Sequence, residues 1–260
     1  MTTGTASFTE QRIAVADGEV RVMKAGSGPA LVVFHHEIGN QGWSEFYSEL
    51  AKSFTVYVPD MPGYGGSTRP EWARNVRDLC SLLGLTVAQL GLDAPIVVGL
   101  GWGGWLAAEL AGSGVQFSRL VLVNPLGIFP AEGEIYDQFM VGHEIYVKQG
   151  FHSEDTFKRL YGDQATIEQL VEWDIAREMT TRVGWKPYMF DRALPNLLRS
   201  VQAPTLVVWG DDNKIVPAVC GRQYVEALPH GELKTLASCG HWADLEQPAA
   251  LAKLVGEFAK

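Results

Sequence analysis

The sequence predicts an α/β fold with a mostly parallel central sheet, flanked by helices, and a helical segment inserted after the sixth strand. Short continuous apolar runs such as "PALVVFHH", "APIVVGL" and "PTLVVWGDD" are typical of strands buried on both faces. Helical patterns alternate with these runs, as they do in a parallel sheet covered on both sides. After the sixth predicted strand the strand-like runs stop, and helical periodicity replaces them.

The first half of the chain provides six predicted strands. Apolar alternation around Asp17-Gly18 indicates a hairpin, because Asp-Gly suits the positive φ angles of a tight turn. "PALVVFHH" predicts the third strand, and "SFTVYVPDMPGYGGS" predicts a fourth that ends in a loop rich in proline and glycine. A helix is expected from Trp72 to Leu85. "APIVVGL" then leads into a helix of small residues, "WGGWLAAELAG", and "RLVLVNP" is the sixth strand.

The middle of the chain predicts a cap segment, residues 125–200, between two parts of an α/β core, residues 1–124 and 201–260. Helices are expected in "AEGEIYDQFMVGHEIYVKQG", "SEDTFKRLYG", "ATIEQLVEWDIAREMTTRV" and "RALPNLLRSV". The third of these carries apolar residues at helical spacing on one face: Ile167, Leu170, Val171, Ile175 and Met179. "PTLVVWGDD" and "GELKTLA" predict two further strands, and Pro248 suits the first position of a final helix.

Composition argues against some classes of binding partner and favours a cytoplasmic location. The 260 residues carry a net charge of −9, which argues against nucleic acid and anionic membranes as partners. No apolar run is long enough to span a bilayer, and "MTTGTASFTEQ" lacks the basic start and apolar centre of a secretory signal. Cys80, Cys220 and Cys239 are expected to be free thiols in a reducing cytoplasm. The sequence is compatible with a homodimer.

Five motifs occur in a characteristic order along nearly the whole chain. They are "FHHEIGNQGW", "DMPGYGGS", "GLGWGG", "WGDDNKIVP" and "CGHWADLEQP", with the helical segment between the third and fourth. In this order they resemble the α/β-hydrolase superfamily in its capped form. The resemblance implies a nucleophile on a sharp turn, a histidine base, an acid that orients the histidine, and two backbone N–H groups for an oxyanion.

The resemblance places Gly101 at the nucleophile position, within Gly99-Leu100-Gly101-Trp102-Gly103. The flanking glycines of such a turn are intact, but Gly101 has no side chain that could attack a substrate. Loss of a triad serine costs on the order of 10⁶ in turnover. Ordinary serine-ester hydrolysis is therefore disfavoured, although an engineered serine-to-glycine change is an alternative explanation.

The same resemblance assigns the base to His241 and leaves two alternatives for the acid. The usual acid position holds Asn213, which would orient the histidine as a neutral partner. A shift of one residue would instead let Asp212 reach His241. In a third interpretation, Asp211 and Asp212 are solvated loop carboxylates.

The oxyanion donors implied by the resemblance are the amide of Trp102 and an amide near Glu37. His36 stands where the family usually has glycine. The side chains of His36 and Glu37 are thus expected at the mouth of the site, in acid–base catalysis or in a structural role. No metal and no cofactor are predicted, because adjacent loop residues seldom converge on one ion and no further ligand is evident.

A small apolar or aromatic molecule is the expected ligand, since pockets are mostly apolar with a few polar groups. Besides His36, the candidate binding residues are Trp105, Met140, His143, Trp185 and Tyr188. Each could instead pack the cap against the core or, for His143, lie on a solvated helix face.

The sequence thus predicts an enzyme acting on an ester, lactone or C–C bond of a small apolar or aromatic carbonyl compound. The expected mechanism is histidine-assisted water attack, or lyase-type proton transfer, without a covalent acyl-enzyme. Two alternatives stay open: a non-catalytic protein that binds a small ligand, and a serine hydrolase inactivated by a serine-to-glycine change.

Overall fold

The computed structural model describes residues 7–260. The first six residues, on which the prediction about a secretory signal partly rests, lie outside the described part. The eight strands are β1 (Thr9–Val15), β2 (Gly18–Ala25), β3 (Ala30–Phe34), β4 (Thr55–Pro59), β5 (Ile96–Leu100), β6 (Arg119–Val123), β7 (Thr205–Gly210) and β8 (Gly231–Leu236).

These strands form one sheet in the order β1-β2-β4-β3-β5-β6-β7-β8. The predicted hairpin at Asp17-Gly18 joins β1 and β2, which pair antiparallel, and β2 pairs antiparallel with β4. All the other neighbours pair parallel. The predicted fold class, a mostly parallel sheet flanked by helices, is confirmed.

The helices are α1 (Glu45–Leu50), α2 (Val76–Gln89), α3 (Trp102–Gly112), α4 (His143–Gln149), α5 (Glu154–Tyr161), α6 (Ile167–Gly184), α7 (Leu194–Leu198), α8 (Val219–Ala227), α9 (Ala243–Glu246) and α10 (Pro248–Phe258). Side-chain caps begin several of them. Ser44 caps α1, Asn75 caps α2, and Thr166 with Gln169 forms a capping box on α6.

Alternate residues of the central strands supply two separate cores. Val97 of β5 packs on one face of the sheet with α2 and α3, whereas Val98 packs on the other face with α1 and α10. Both faces are apolar because helices cover both, which is why these strands are continuous apolar runs. The carboxyl ends of β3, β5 and β6 are thereby fixed side by side, and the loops that follow them meet.

Four helices, α4 to α7, lie between β6 and β7 in the cap segment. The prediction of one long helix over residues 131–150 is wrong in its first part, since regular helix begins only at His143. The predicted apolar stripe on α6 is covered only in part: Ile167, Val171 and Ile175 are 77%, 52% and 49% exposed, whereas Met179 is buried. The buried face also includes Trp173 and Ala176, because periodicity identifies an apolar face but not what covers it.

No helix within residues 7–260 combines the length and the apolar content that a membrane crossing requires.

Candidate active site

The turn between β5 and α3 holds Gly101 at φ +49° and ψ −108°. This is backbone that residues with a Cβ rarely adopt, so glycine is the residue that occupies it without strain. The Gly101 N–H donates to the carbonyl of Val123 on β6, at 2.9 Å. The turn is therefore anchored to the neighbouring strand, and the side of Gly101 that a side chain would occupy faces the loops after β3 and β8.

Three side chains fill the space beside Gly101. A Cβ at this position would lie 2.5 Å from His36 Nδ1, 2.8 Å from Glu37 Oε2 and 2.9 Å from His241 Nε2. All three residues are at least 97% buried. The position that the sequence assigned to a missing nucleophile is thus occupied by a carboxylate and two imidazoles from neighbouring loops.

Glu37 lies on the loop after β3, and four kinds of contact hold its carboxylate. The Trp102 N–H donates to Oε2 at 3.2 Å, and the Tyr146 hydroxyl, from α4, donates to Oε1 at 2.7 Å. His241 Nε2 lies 3.2 Å from Oε1, and the backbone N–H of Glu37 also stabilises the charge. The predicted oxyanion donor Trp102 therefore faces the Glu37 side chain itself.

Burial alone would raise the pKa of Glu37, but the adjacent His241 and His36 and the backbone N–H of Glu37 outweigh burial and lower the pKa to about 2. Glu37 is accordingly an ionised carboxylate at neutral pH. A buried carboxylate that keeps its charge requires this dense set of donors, since an isolated buried charge is costly.

His35 fixes the start of the loop that carries Glu37. Its Nε2 accepts from the N–H of Met61 at 3.0 Å, and its Nδ1 lies 2.8 Å from the carbonyl of His36. A carbonyl only accepts, so Nδ1 carries the hydrogen and the ring is neutral. Burial is the main cause that lowers the pKa of His35 from 6.5 to about 4.

We expect this histidine to make the protein less stable in acid. In the unfolded chain His35 becomes protonated below pH 6.5, whereas in the folded protein it stays neutral until the pH approaches 4. The free energy of unfolding should fall over this window by about 3 kcal/mol through His35 alone, and the loss should level off below it.

Urea unfolding at several pH values measures this effect. His35→Gln should flatten the slope between pH 6.5 and 4, whereas His230→Gln, at an exposed histidine, should keep the wild-type slope. An equal slope in His35→Gln and wild type would contradict the assignment.

His241 lies on the loop between β8 and α9. Its backbone N–H donates to the carbonyl of Gly150 at 2.6 Å, which ties the loop to the end of α4. Asn124, at φ +46°, donates to the carbonyls of Gly240 and His241 at 3.1 and 2.9 Å. Burial lowers the pKa of His241, and Glu37 opposes that change only in part.

Neither predicted acid contacts the ring of His241. The carboxylate of Asp212 lies 2.9 Å from both His152 Nδ1 and Lys214 Nζ on the surface. The Asn213 carbonyl oxygen accepts from the N–H groups of Ile215 and Val216, each at 3.0 Å. Within residues 7–260, His241 Nδ1 has no hydrogen-bond partner. The carboxylate beside the ring is instead that of Glu37, which lies next to the other nitrogen, Nε2.

His36 is oriented by Asp244, which lies at the start of the chain's last helical region. Its Nε2 is 2.8 Å from Asp244 Oδ1, and both side chains are at least 95% buried. A carboxylate accepts, so Nε2 carries the hydrogen and Nδ1 faces Gly101.

The predicted binding residues are dispersed. Met140 and Trp185 are 80% and 62% exposed, and His143 Nε2 lies 3.1 Å from Asp174 Oδ1. Trp105 is buried, donates to Glu109 at 3.0 Å and packs edge-on against Trp102. The Tyr188 hydroxyl donates to the Tyr136 carbonyl at 2.8 Å. Of the predicted set, Trp105 lies on the same helix turn as Trp102, and His36 lies in the site itself.

Two residues of the site were missed in the sequence. Tyr146 reaches Glu37 from a cap helix over a separation of 109 residues, which no local pattern signals. Asp244 follows His241 by three positions, and that proximity to a candidate base could have identified it as a buried acid.

Comparison with known proteins agrees with this architecture. Residues 32–254 match the alpha/beta hydrolase family. The 2-hydroxymuconate semialdehyde hydrolase of Pseudomonas sp. (strain CF600) is 28% identical, over 91% of this chain and 85% of its own. The 2-hydroxy-6-oxo-6-phenylhexa-2,4-dienoate hydrolase of Burkholderia cepacia is 26% identical, over 92% of this chain and 90% of its own.

Solved structures share the fold. The 2-hydroxy-6-oxo-6-phenylhexa-2,4-dienoate hydrolase of Rhodococcus sp. strain RHA1 superposes with a TM-score of 0.77 at 20% identity, covering 98% of this chain and 99% of its own. A naproxen esterase of Bacillus subtilis gives a TM-score of 0.77 at 17% identity, covering 98% of this chain and 92% of its own. The family match spans most of the chain: the chain belongs to the alpha/beta hydrolase family.

Proposed function

We propose that this protein is an enzyme that acts on a small apolar or aromatic carbonyl compound without forming a covalent acyl-enzyme. The observation that carries the proposal is the Glu37 carboxylate beside Gly101, 3.2 Å from His241 Nε2. Glu37 and His241, two side chains that can take up or give a proton, therefore lie where a nucleophile would otherwise be. The relatives named above are hydrolases of muconate-type semialdehydes and oxo-dienoates, which supports a carbonyl substrate with a C–C bond to be cleaved.

In this mechanism Glu37 is the general base and Trp102 is an oxyanion donor. A carbonyl oxygen that approaches the Trp102 N–H displaces Glu37 Oε2 from it. Each lost hydrogen bond raises the pKa of the carboxylate, because hydrogen bonds to the charged form are what keep it low. Substrate binding would thus strengthen the base when a proton has to be removed.

The proposed hydrolysis has two steps, the attack of water and the collapse of the resulting intermediate. Water loses a proton to Glu37 and its oxygen bonds to the carbonyl carbon, while the carbonyl electrons move to the oxygen held by the Trp102 amide. When this intermediate collapses, the C–C or C–O bond breaks and the leaving group takes the proton back from the Glu37–His241 pair. If the substrate itself supplies the proton, the same groups perform a lyase-type transfer.

A direct test uses a panel of esters, lactones and conjugated oxo-dienoates, with turnover run in isotope-labelled water and intact-protein mass spectrometry. Hydrolysis with label in the product acid and no acyl adduct supports water attack; turnover without label supports lyase chemistry. A covalent adduct during turnover would overturn the proposal. Thermal stabilisation by ligands with no turnover of any substrate would favour the alternative of a binding protein.

Tyr146 is expected to tune the base. Its hydroxyl is a hydrogen-bond donor to Glu37, so Tyr146→Phe should raise the pKa of the carboxylate and move the acid limb of the kcat/KM profile to higher pH. The pH–rate profile measures this shift. Tyr161→Phe is the matched control, since Tyr161 is a buried cap tyrosine that packs against Phe157 and Trp173. Identical profiles in Tyr146→Phe and wild type would contradict the role of Tyr146.

A further inference from the structure

Three buried electron-pair donors converge beside Gly101. His36 Nδ1, a Glu37 carboxylate oxygen and His241 Nε2 all lie within 4.8 Å of one another. Both ring nitrogens lack a hydrogen-bond partner in the described part of the chain, although their residues are almost fully buried. Buried polar atoms are nearly always satisfied, so two such nitrogens that face one point favour a ligand able to accept their electron pairs.

Asp244 fixes what His36 can offer at that point. Its carboxylate accepts the hydrogen of Nε2 at 2.8 Å, so Nδ1 is the nitrogen left to bind an ion. A carboxylate that holds the far nitrogen of an imidazole is the arrangement that orients metal-bound histidines. The Tyr146 hydroxyl holds Glu37 Oε1 at 2.7 Å and in the same way limits the rotation of that carboxylate.

The carboxylate of Glu37 faces both ring nitrogens at short range. His36 Nδ1 lies 4.0 Å from Oε2, and His241 Nε2 lies 3.2 Å from Oε1. Burial removes the water that would screen these groups, and a small cation between the three atoms would attract the carboxylate and both nitrogens.

We propose that His36, Glu37 and His241 form a binding site for one divalent transition-metal ion in the space beside Gly101. Two imidazoles and one carboxylate suit Zn²⁺ and its first-row neighbours. Ligand atoms around a tetrahedral zinc lie about 3.3 Å apart, so the three donor atoms, which now lie within 4.8 Å of one another, would have to approach by up to about 1.5 Å. Glycine at position 101 leaves the room, because a Cβ there would lie within 3 Å of all three ligand atoms.

Three protein ligands leave at least one coordination position open. A water bound there would stand close to Gly101, and a metal ion lowers the pKa of such a water to about 7. The inference needs only the geometry of these residues, whereas the proposed function needs turnover, so each can fail without the other.

The test measures metal binding in the absence of substrate. Untagged full-length protein is stripped with a chelator and dialysed, and then titrated with Zn²⁺ by calorimetry and with Co²⁺ by visible absorption. We expect one equivalent to bind with a micromolar or lower Kd, a rise in Tm, and Co²⁺ bands of a four- or five-coordinate site. Mass spectrometry of the metal content after gel filtration gives the stoichiometry.

Variants locate the site. His36→Ala, Glu37→Gln and His241→Ala should each weaken Zn²⁺ binding at least about tenfold, and Asp244→Asn should weaken it about tenfold through His36. His152→Ala is the matched control, because His152 also forms a histidine–aspartate pair but on the surface. Circular dichroism confirms that each variant is folded, and the Co²⁺ spectrum of Asp244→Asn reports on the site even where a ligand variant does not fold.

Two results would overturn the proposal. One is the absence of a bound equivalent at 100 µM free Zn²⁺, a concentration that occupies about 99% of a site with a micromolar Kd. The other is binding that survives in the three ligand variants or is lost in His152→Ala. The first result would mean that a hydrogen on His241 Nε2 shared with Glu37 satisfies this pair, and the second would place the metal ion elsewhere on the protein.

Discussion

Glu37→Gln is expected to lower kcat by about 10²–10⁴-fold, the range in which a general base contributes. Glutamine keeps the shape of the side chain and the oxygen that accepts from Tyr146, but it cannot take up a proton. Its amide hydrogens would also oppose the Trp102 N–H, which now donates to the carboxylate at 3.2 Å. Steady-state kinetics on a substrate found in the panel measures the change.

Glu109→Gln is the matched control for this substitution. Glu109 is also a buried carboxyl group, 2% exposed, and it accepts from Trp105 Nε1 at 3.0 Å. Burial raises the pKa of Glu109, whereas the pKa of Glu37 is lowered. It should keep kcat near the wild-type value. A Glu37→Gln variant as active as Glu109→Gln would show that the carboxylate has no part in the chemistry.

Gly101→Ser is expected to destabilise the fold and to leave the protein without serine-hydrolase activity. The new Cβ would meet His36 Nδ1, Glu37 Oε2 and His241 Nε2 at 2.5–2.9 Å, and the residue would hold φ +49°. Overpacking and the strained backbone together should cost about 2–5 kcal/mol. Urea unfolding gives the loss of stability, and intact mass after exposure to an activated ester detects acylation.

Gly91→Ser separates the cost of the strained backbone from the cost of overpacking. Gly91 has φ +66° and nothing within 4 Å of the place where a Cβ would lie, so only the backbone cost of about 1–2 kcal/mol should appear. In the double variant Glu37→Gly with Gly101→Ser, the clash with Glu37 is relieved while those with His36 and His241 remain, so the loss of stability should be smaller than the sum of the two single losses. A Gly101→Ser single variant that is stable and forms an acyl-enzyme would instead favour an inactivated serine hydrolase.

Much of the fold was predictable because the relevant forces are local. Buried strands such as β5 and β7 are continuous apolar runs, and the Asp17-Gly18 turn has the residues that a tight hairpin needs. The cap was harder. Residues 131–142 have helix-compatible composition but no regular helix, and three of the five residues in the predicted apolar stripe on α6 are exposed, since only the packing of cap on core decides which face is covered.

The site was predictable in its positions and not in its contacts. Gly101, Glu37, Trp102, His36 and His241 were all candidates, and the structure brings them together. Asp212 and Asn213 were candidates too, but their side chains pair with His152, Lys214 and the backbone of their own loop. The partner of such a loop side chain is the nearest group with which it can form a hydrogen bond, and a sequence does not show which groups are near.

The sequence by itself determined the sheet, the order of its loops and the glycine at the turn, because these depend on apolar periodicity and on backbone conformations that few residues allow. Only the tertiary structure decided that the Glu37 side chain, rather than its amide alone, occupies the space beside Gly101. It also decided that Tyr146 and Asp244 hold Glu37 and His36 there. These contacts join segments 109 and 208 residues apart, and the packing of the cap and the last helices against the sheet is what creates them.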